Sequence, residues 1–592
     1  MNDKVIKRIP YGLADYEKIV LGNYYYVDKT QYLPLIEEAG DYLFFIRPRR
    51  FGKSLFLSIM ETYYDISRSD QFDLFYKGTH IHGYPTLEKN KYLILKFNFS
   101  TVDPDYKRLE TSFLNNVRTV VNSFLSKYVD ELDTQELEKL REDLSNMGSA
   151  ADILLRVTNL CKNSNRKLYV LIDEYDNFAN TVLSTSGSGD YKNLTRGEGF
   201  FRAFFNVLKG GTTGSGAPIS RLFITGVSPI TLDDVTSGFN IGKNISTAPG
   251  FNRMLGFTET DVKEIIDYYR KSGGIKHQEN ELLNIMTTWY NNYAFSKKAN
   301  GTLFNPDMVF YFIDQYIQGD GMPDDLIDRN VRIDYGKLRH LIIVDRDGVV
   351  RSNGNFSKLR EVIEEKEILQ PGIAKGFPLD ELQETNNFIS LLFYFGLLTI
   401  EGVERNKLRL TVPNETVKRL FYEYIEKGYR ETNVFNIDLS RYGDLMSDMA
   451  YDGKWRPLFA YICELMKESM GLRDLVTGEK SIQAFLNVYL GLSDLYLIHS
   501  EKELSKGYAD LFLEPFLSVY DGIGYSYLVE IKYIKTSEYR EEKVKQLKSE
   551  AEQQLRTYNR DTKMQRSIGK TALIKLVLIF SGPELKYINE VH

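Results

Sequence analysis

Two sets of residues have the types and spacing for phosphate chemistry. The first is Gly52-Lys53-Ser54. Backbone N–H groups at a glycine turn that opens a helix face an anion, a lysine there reaches terminal phosphates, and a serine hydroxyl ligates Mg2+. Further along, Asp173-Glu174 closes an apolar run. Asp173 suits a metal held through its water, and Glu174 suits polarising a water that attacks a phosphate. The second set is Asp510 with Glu530-Ile-Lys532. Two carboxylates and an amine on one sheet face suit metal-assisted phosphodiester hydrolysis. Asp510 and Glu530 would bind Mg2+, or Mn2+ in its place, while Lys532 positions the nucleophile or stabilises developing charge. An exposed cross-strand salt bridge gives the same Glu-x-Lys pattern, so the elements around each set decide the reading.

Around the first set, Leu43–Ile46 reads as a buried strand before the turn and Leu55–Tyr64 as a helix after it. That is the strand, turn and helix of a P-loop, although Arg47 stands where the usual pattern has its first glycine. Tyr92–Phe99, Lys167–Ile172 and Arg221–Ser228 are further apolar strands separated by helical stretches, which predicts a parallel sheet covered on both faces. The strand 92–99, interposed between the two motifs, favours the additional-strand, catalytic-glutamate class. Of Arg47, Arg49 and Arg50, which could all stabilise phosphate charge, Arg50 is assigned to the nucleotide with Gly52, Lys53, Ser54 and Asp173. Thr225 and Ser228, ending the fourth strand, are candidates for sensing the terminal phosphate, with packing or turn roles equally open. Two Gly/Ser-rich segments, Ser184–Asp190 and Gly210–Ala217, read as connectors that could border the site.

At 592 residues the chain exceeds one core, and 43% hydrophobic with 26% charged residues describes an ordinary globular composition. No apolar run is long enough to span a bilayer, and two distant cysteines, Cys161 and Cys463, exclude a disulfide framework. The expectation is a cytoplasmic protein without membrane contact, with an oligomer left open. A net charge of −6 excludes a whole-molecule nucleic-acid binder, but Lys532 to Lys570 holds 11 Lys and Arg against 6 Asp and Glu. Alone, that segment reads as a solvated helical face.

From about Gly256 the pattern turns mostly helical, as in Thr260–Ser272, Asn280–Tyr290 and a helix opening at Phe304-Asn-Pro-Asp307. Tyr335–Lys427 mixes helix with short strands at Leu397–Ile400 and Lys407–Val412, a lid or spacer by default. The end of the chain reads as a separate α/β unit: a helix at Lys480–Leu490, strands at Gly507–Pro515 and Ser526–Tyr533, a charged helix near Tyr539–Tyr558 and a strand at Ala572–Phe580. Strand alternation puts Glu530 and Lys532 on one face and Val529 and Ile531 in the opposite apolar layer.

Ile9-Pro-Tyr-Gly, Tyr26-Val-Asp-Lys-Thr30, Arg47-Pro-Arg-Arg-Phe-Gly-Lys-Ser-Leu55 and Leu171-Ile-Asp-Glu-Tyr-Asp176 resemble the AAA-ATPase-like family common in gut bacteria, over roughly residues 5–300. In that family the arginine at the Arg47 position is usual, and the resemblance implies an ATPase core. Residues 470–582 resemble the PD-(D/E)XK nuclease superfamily. There Gly507-Tyr-Ala-Asp510 matches the strand of the first acid, Glu530-Ile-Lys532 the second, and Glu479 the upstream helical acid that joins the metal set. Gln554-Leu-Arg-Thr-Tyr558 matches a Gln-x-x-x-Tyr helix and implies a catalytic Gln554; Ala509 departs from the usual proline. The implied fold is α/β: an N-terminal P-loop ATPase (1–255), a mostly helical lid or spacer (256–440) and a nuclease-like domain (441–592). The implied function is ATP-gated cleavage of DNA. The alternative is a nucleotide-switch regulator whose nuclease-like domain binds nucleic acid or a partner without cutting.

Overall fold

The computed structural model describes residues 5–591 apart from 186–187, 198, 215, 237–241, 333–354, 366, 383, 432–434, 470–475, 505–506 and 559–561. Parts of Ser184–Asp190, Gly210–Ala217 and Tyr335–Lys427 therefore lie outside the described residues. What remains of the first Gly/Ser segment is helical, within Asn177–Thr185 and Ser188–Thr195.

Five parallel strands form the first sheet: β1 (Tyr42–Ile46), β2 (Leu93–Asn98), β3 (Leu168–Asp173), β4 (Ile219–Gly226) and the short β5 (Lys243–Asn244). The order is β2-β3-β4-β1-β5. The additional strand between the two phosphate motifs is therefore β4. The 92–99 strand, expected to be the interposed one, lies at the edge beyond β3. Sequence order does not reveal sheet order, because each parallel strand needs a crossover and can land on either side. The apolar runs are apolar throughout because both faces are covered: helix Lys53–Tyr64 packs on β2 and β3, and Tyr106–Lys127 packs on β2. Phe97, Phe99, Phe113, Phe178, Phe201 and Phe204 fill the opposite layer with mostly tilted and edge-to-face rings.

The middle of the chain contains helices Glu259–Lys271, Glu279–Tyr290, Pro306–Gly319, Asn355–Glu365, Thr385–Tyr394 and Glu415–Glu431. Asn305 caps the third through its side chain and Pro306 takes the first helical position, as the Asn-Pro-Asp signal predicts. A small antiparallel sheet adds to these helices: β6 (Glu367–Gln370), β7 (Thr399–Glu404) and β8 (Lys407–Thr411), in the order β6-β8-β7. Arg405 and Asn406 join β7 to β8 with φ of 45° and 65°, the left-handed pair that a tight hairpin requires.

The last unit carries β9 (Tyr496–Leu504), β10 (Gly507–Pro515), β11 (Tyr525–Ile534), β12 (Ala572–Ser581) and β13 (Glu584–Glu590), ordered β13-β12-β11-β10-β9. Only β11 and β12 run parallel, joined through helix Glu541–Tyr558. Val529 and Ile531 enter the main core, while Leu528 and Ile534 face a second core closed by Ala551, Leu555 and Tyr558 of that helix. Among the described residues no helix is long and apolar enough to cross a membrane.

Candidate functional sites

At the first site Gly52 (φ 93°) turns the chain from β1 into helix Lys53–Tyr64, whose N-terminus carries no side-chain cap. A Cβ at Gly52 would meet nothing, so the left-handed backbone alone calls for glycine here. The uncapped N–H groups suit a phosphate. Lys53 is buried, and its Nζ donates to the Arg47 and Pro48 carbonyls at 3.0 and 2.9 Å. Gly52, Lys53, Ser54 and Glu174 line one end of a cavity of about 550 Å3 whose other walls include Leu13, Tyr26, Val27, Phe257 and Phe310. That volume and mix of apolar wall and convergent polar groups suit a small-molecule ligand.

Asp173 ends β3 fully buried, its Oδ1 accepting the Glu174 N–H at 3.0 Å. Glu174 has φ 49°, a strained conformation for a residue with a Cβ, and this turns it to the cavity. Burial pushes its carboxyl up from the ordinary value, Lys53 pulls it down and Asp173 pushes it up again. Asp176 accepts from Ser228 N (2.6 Å), Val227 N and Asn180 Nδ2, so the last acid of Asp173-Glu-Tyr-Asp176 ties β3 to the end of β4.

Four residues offered for the nucleotide, Thr225, Ser228, Arg50 and Arg47, have partners within the protein. The Thr225 hydroxyl is buried and donates to Phe45 O at 2.8 Å, locking β4 to β1 instead of facing the cavity. Ser228 sits in the turn that Asp176 holds. Arg50 does line the cavity, at φ 64°, but its guanidinium binds Asp307 Oδ2 at 2.6 Å and Asp328 Oδ2 at 3.4 Å. Tyr11 of Ile9-Pro-Tyr-Gly donates to the same Asp328 oxygen at 2.6 Å. Arg47 is buried between the Phe45 and Phe295 rings and donates to the Ser246 and Phe251 carbonyls. It braces the loop from beneath, which explains an arginine where glycine is usual. Within Tyr26-Val-Asp-Lys-Thr30, Asp28 accepts from His80 N and Lys29 pairs with Asp261, so this motif fastens the N-terminal segment.

The second site lies on the face of β10 and β11 under helix Glu541–Tyr558. Asp510 Oδ2 accepts the Ile531 N–H at 2.6 Å, and Lys532 Nζ sits 2.7 Å from Glu530 Oε1 and 4.0 Å from Asp510 Oδ2. The pleat breaks at Asp510: Ala509 and Phe512 share one core layer while Leu511 lies in the other, and Glu501 on β9 takes φ 46°. Such an irregularity aims a side chain out of the regular alternation. Gln483 on helix Glu479–Leu490 donates to Asp510 O at 2.6 Å and holds the break. Sequence reasoning missed Gln483, although it lies one helical turn after Glu479. Tyr558 donates to Tyr508 O at 2.9 Å from the second core, whereas Gln554 is exposed on the same helix. Glu479 is half-buried and acts on Glu530 and Lys532 through its charge.

Among the described residues no three His, Cys, Asp or Glu side chains converge as a metal site. The donors present nonetheless fit a hard divalent cation, which is held by one or two carboxylates and keeps several waters. Glu530 Oε2 is buried with no hydrogen-bond partner, an atom whose burial is costly unless something pairs with it. Glu530 is 1% exposed, and burial first, then Asp510, push its carboxyl up to about 7 against the pull of Lys532.

This has a measurable consequence. An acid raised in the folded state binds more protons folded than unfolded between its two values. Stability therefore falls as pH rises from about 4.5 to about 7, by on the order of 3 kcal/mol. Glu530→Gln is expected to unfold at higher denaturant than wild type at pH 8, with the gap closing at pH 5. A pH-independent gap would mean that Glu530 is not raised.

Residues 10–236 match a family model described as predicted AAA-ATPase, and residues 477–590 match the PD-(D/E)XK nuclease superfamily. A protein of Azotobacter chroococcum mcd 1, described as an uncharacterized protein in the vnfD 5′ region, is 27% identical over 319 residues, 52% of this chain and 52% of that protein. The chain thus matches about half the length of this curated relative. Both domain types imply use of a nucleotide and a divalent metal. The chain therefore carries an AAA-ATPase-like domain followed by a domain of the PD-(D/E)XK nuclease superfamily.

Proposed function

We propose that the chain is a cytoplasmic ATPase that gates a metal-dependent nuclease acting on DNA, with an ATPase unit (1–255), a lid or spacer (256–440) and a cutting unit (441–592). The observation that carries the reading is the convergence of Asp510, Glu530 and Lys532, with the unpartnered Glu530 oxygen among them. Asp510 and Glu530 would hold Mg2+ or Mn2+, with Glu479 adding negative field. The metal, when bound, supplies an activated water and neutralises phosphate charge. Lys532 keeps its proton, because the two carboxylates outweigh its burial, and stabilises the charge that develops on the phosphate. In the cavity, Lys53 would leave its loop carbonyls for the ATP phosphates, Ser54 and Asp173 would hold Mg2+, and Glu174 would take the proton of the attacking water. The basic surplus of Lys532 to Lys570 gives the cutting unit a phosphate-facing side on an otherwise acidic chain.

The second reading, a nucleotide switch whose nuclease fold binds without cutting, draws on one observation: the Lys532 amine is engaged by both acids. Supercoiled plasmid and circular single-stranded DNA, incubated with Mg2+ or Mn2+ with and without ATP, separate the two. Metal-dependent cutting that ATP changes about 10-fold is expected. No cutting with either metal on either substrate would leave the switch.

A further inference from the structure

The P-loop and the nuclease-like sheet are joined by one continuous set of packed groups. At the P-loop, Phe51 stands edge-on to Tyr293 and Phe295, with ring centroids 4.9 and 5.4 Å apart. Gly396 (φ 74°) lies so close to the loop that a Cβ there would sit 2.7 Å from Pro48 Cγ. Segment 289–294 then fastens to the elements behind it. Ala294 N donates to Thr399 Oγ1, Asn414 Nδ2 to Asn291 O, and Thr416 Oγ1 to Trp289 O at 2.7 Å. Asn414 and Thr416 open helix Glu415–Glu431, and the next turn of that helix reaches the far domain. Buried Arg419 lies 4.8 Å over the Trp289 ring and donates to Ser493 O, Tyr496 O and Asp494, at the start of β9. Lys418 donates to Ile498 O, and Trp289 also packs on Phe516 just past β10. β10 carries Asp510.

We propose that helix Glu415–Glu431, gripped between Trp289 and β9, is the element through which nucleotide at the P-loop regulates the nuclease-like site. The proposal rests on the reading of that loop as a nucleotide site. Lys53 holds the Arg47 and Pro48 carbonyls. A phosphate that takes the Lys53 amine releases those carbonyls, and Pro48 and Phe51 cannot shift without displacing Gly396, Tyr293 and Phe295. Packed interiors transmit such shifts because they do not deform continuously. At the other end, Arg419 trades a large desolvation cost for fixed carbonyl partners, so the helix and β9 move together.

The chain's two tryptophans make the test direct, since Trp289 is one of them. In a Trp455→Phe background, ATP is expected to shift Trp289 emission with the same midpoint as binding of a fluorescent ATP analogue. Thr416→Val and Arg419→Lys are expected to keep analogue affinity within about 2-fold while shrinking the emission shift and reducing the roughly 10-fold ATP effect on cleavage. Thermal melts of both variants identify any that simply unfold, and Thr416→Val removes only one hydroxyl. Analogue binding with no change in Trp289 emission would overturn the proposal even if the protein cuts DNA. Absence of analogue binding would remove the nucleotide reading itself, and the proposal with it.

Discussion

Glu530→Gln is expected to lower DNA cleavage by at least about 10^3-fold while leaving ATP hydrolysis within about 2-fold of wild type. The amide keeps the volume and the strand, so the sheet survives, and the carboxylate charge is gone. What disappears is the Glu530 carboxylate oxygen that is buried without a hydrogen-bond partner beside Asp510 and Lys532. Metal affinity provides a readout independent of activity. A ligand that binds only the folded state raises its stability. Mg2+ or Mn2+ at pH 8 is therefore expected to raise the wild-type melting temperature and to do little for the variant. The same assay ranks the other residues. Gln554→Ala, exposed on its helix, is expected to change cleavage by less than about 10-fold, whereas loss of Asp510 should resemble loss of Glu530. Cleavage by Glu530→Gln at the wild-type rate would show that the cutting site, if any, is elsewhere.

The parts of this molecule legible in its sequence are those fixed by local periodicity. β1 and β3 read as strands because a parallel strand covered on both faces is apolar at every position, as Leu168–Ile172 are. Glu530 and Lys532 read as a pair because strand alternation is strict along β11, and their neighbours do enter the opposite core layer. The edge strands β9 and β13 escaped notice because charged side chains interrupt them: β9 runs apolar only over Tyr496–Ile498, and Glu501 and Lys586 lie among the charges. Roles set by distant partners were equally hidden. Arg47 looked available to phosphate until the Ser246 and Phe251 carbonyls, some two hundred residues away, claimed its guanidinium. Thr225 ended the expected strand, but its partner belongs to β1. Asp510 was recognised by type, yet its aim depends on a break in the pleat that Glu501 and Gln483 create from two other elements.

Lys53→Met is expected to weaken ATP binding by at least about 100-fold, or about 2.7 kcal/mol, and to abolish hydrolysis. Methionine keeps the apolar stem and removes the ammonium, so the loop loses its donor to two carbonyls and the cavity loses the cation whose charge acts most on Glu174. Leaving those carbonyls without Lys53 costs about 1–3 kcal/mol of stability, which a melt detects and a domain of this size tolerates. The change also acts on Glu174. Lys53 is the largest of the charges that pull that buried carboxyl down, so without it the acid titrates higher still. Glu174→Gln gives the contrast: binding within about 3-fold of wild type, with hydrolysis down about 10^2–10^4-fold. The pair also bears on gating. If occupancy alone opens the nuclease-like site, Glu174→Gln holds cleavage in its ATP-bound condition and Lys53→Met in its nucleotide-free one. If turnover is needed, the two variants cut alike. Unchanged ATP affinity in Lys53→Met would sink the phosphate role of the loop, because Lys53 is the buried cation at that helix N-terminus.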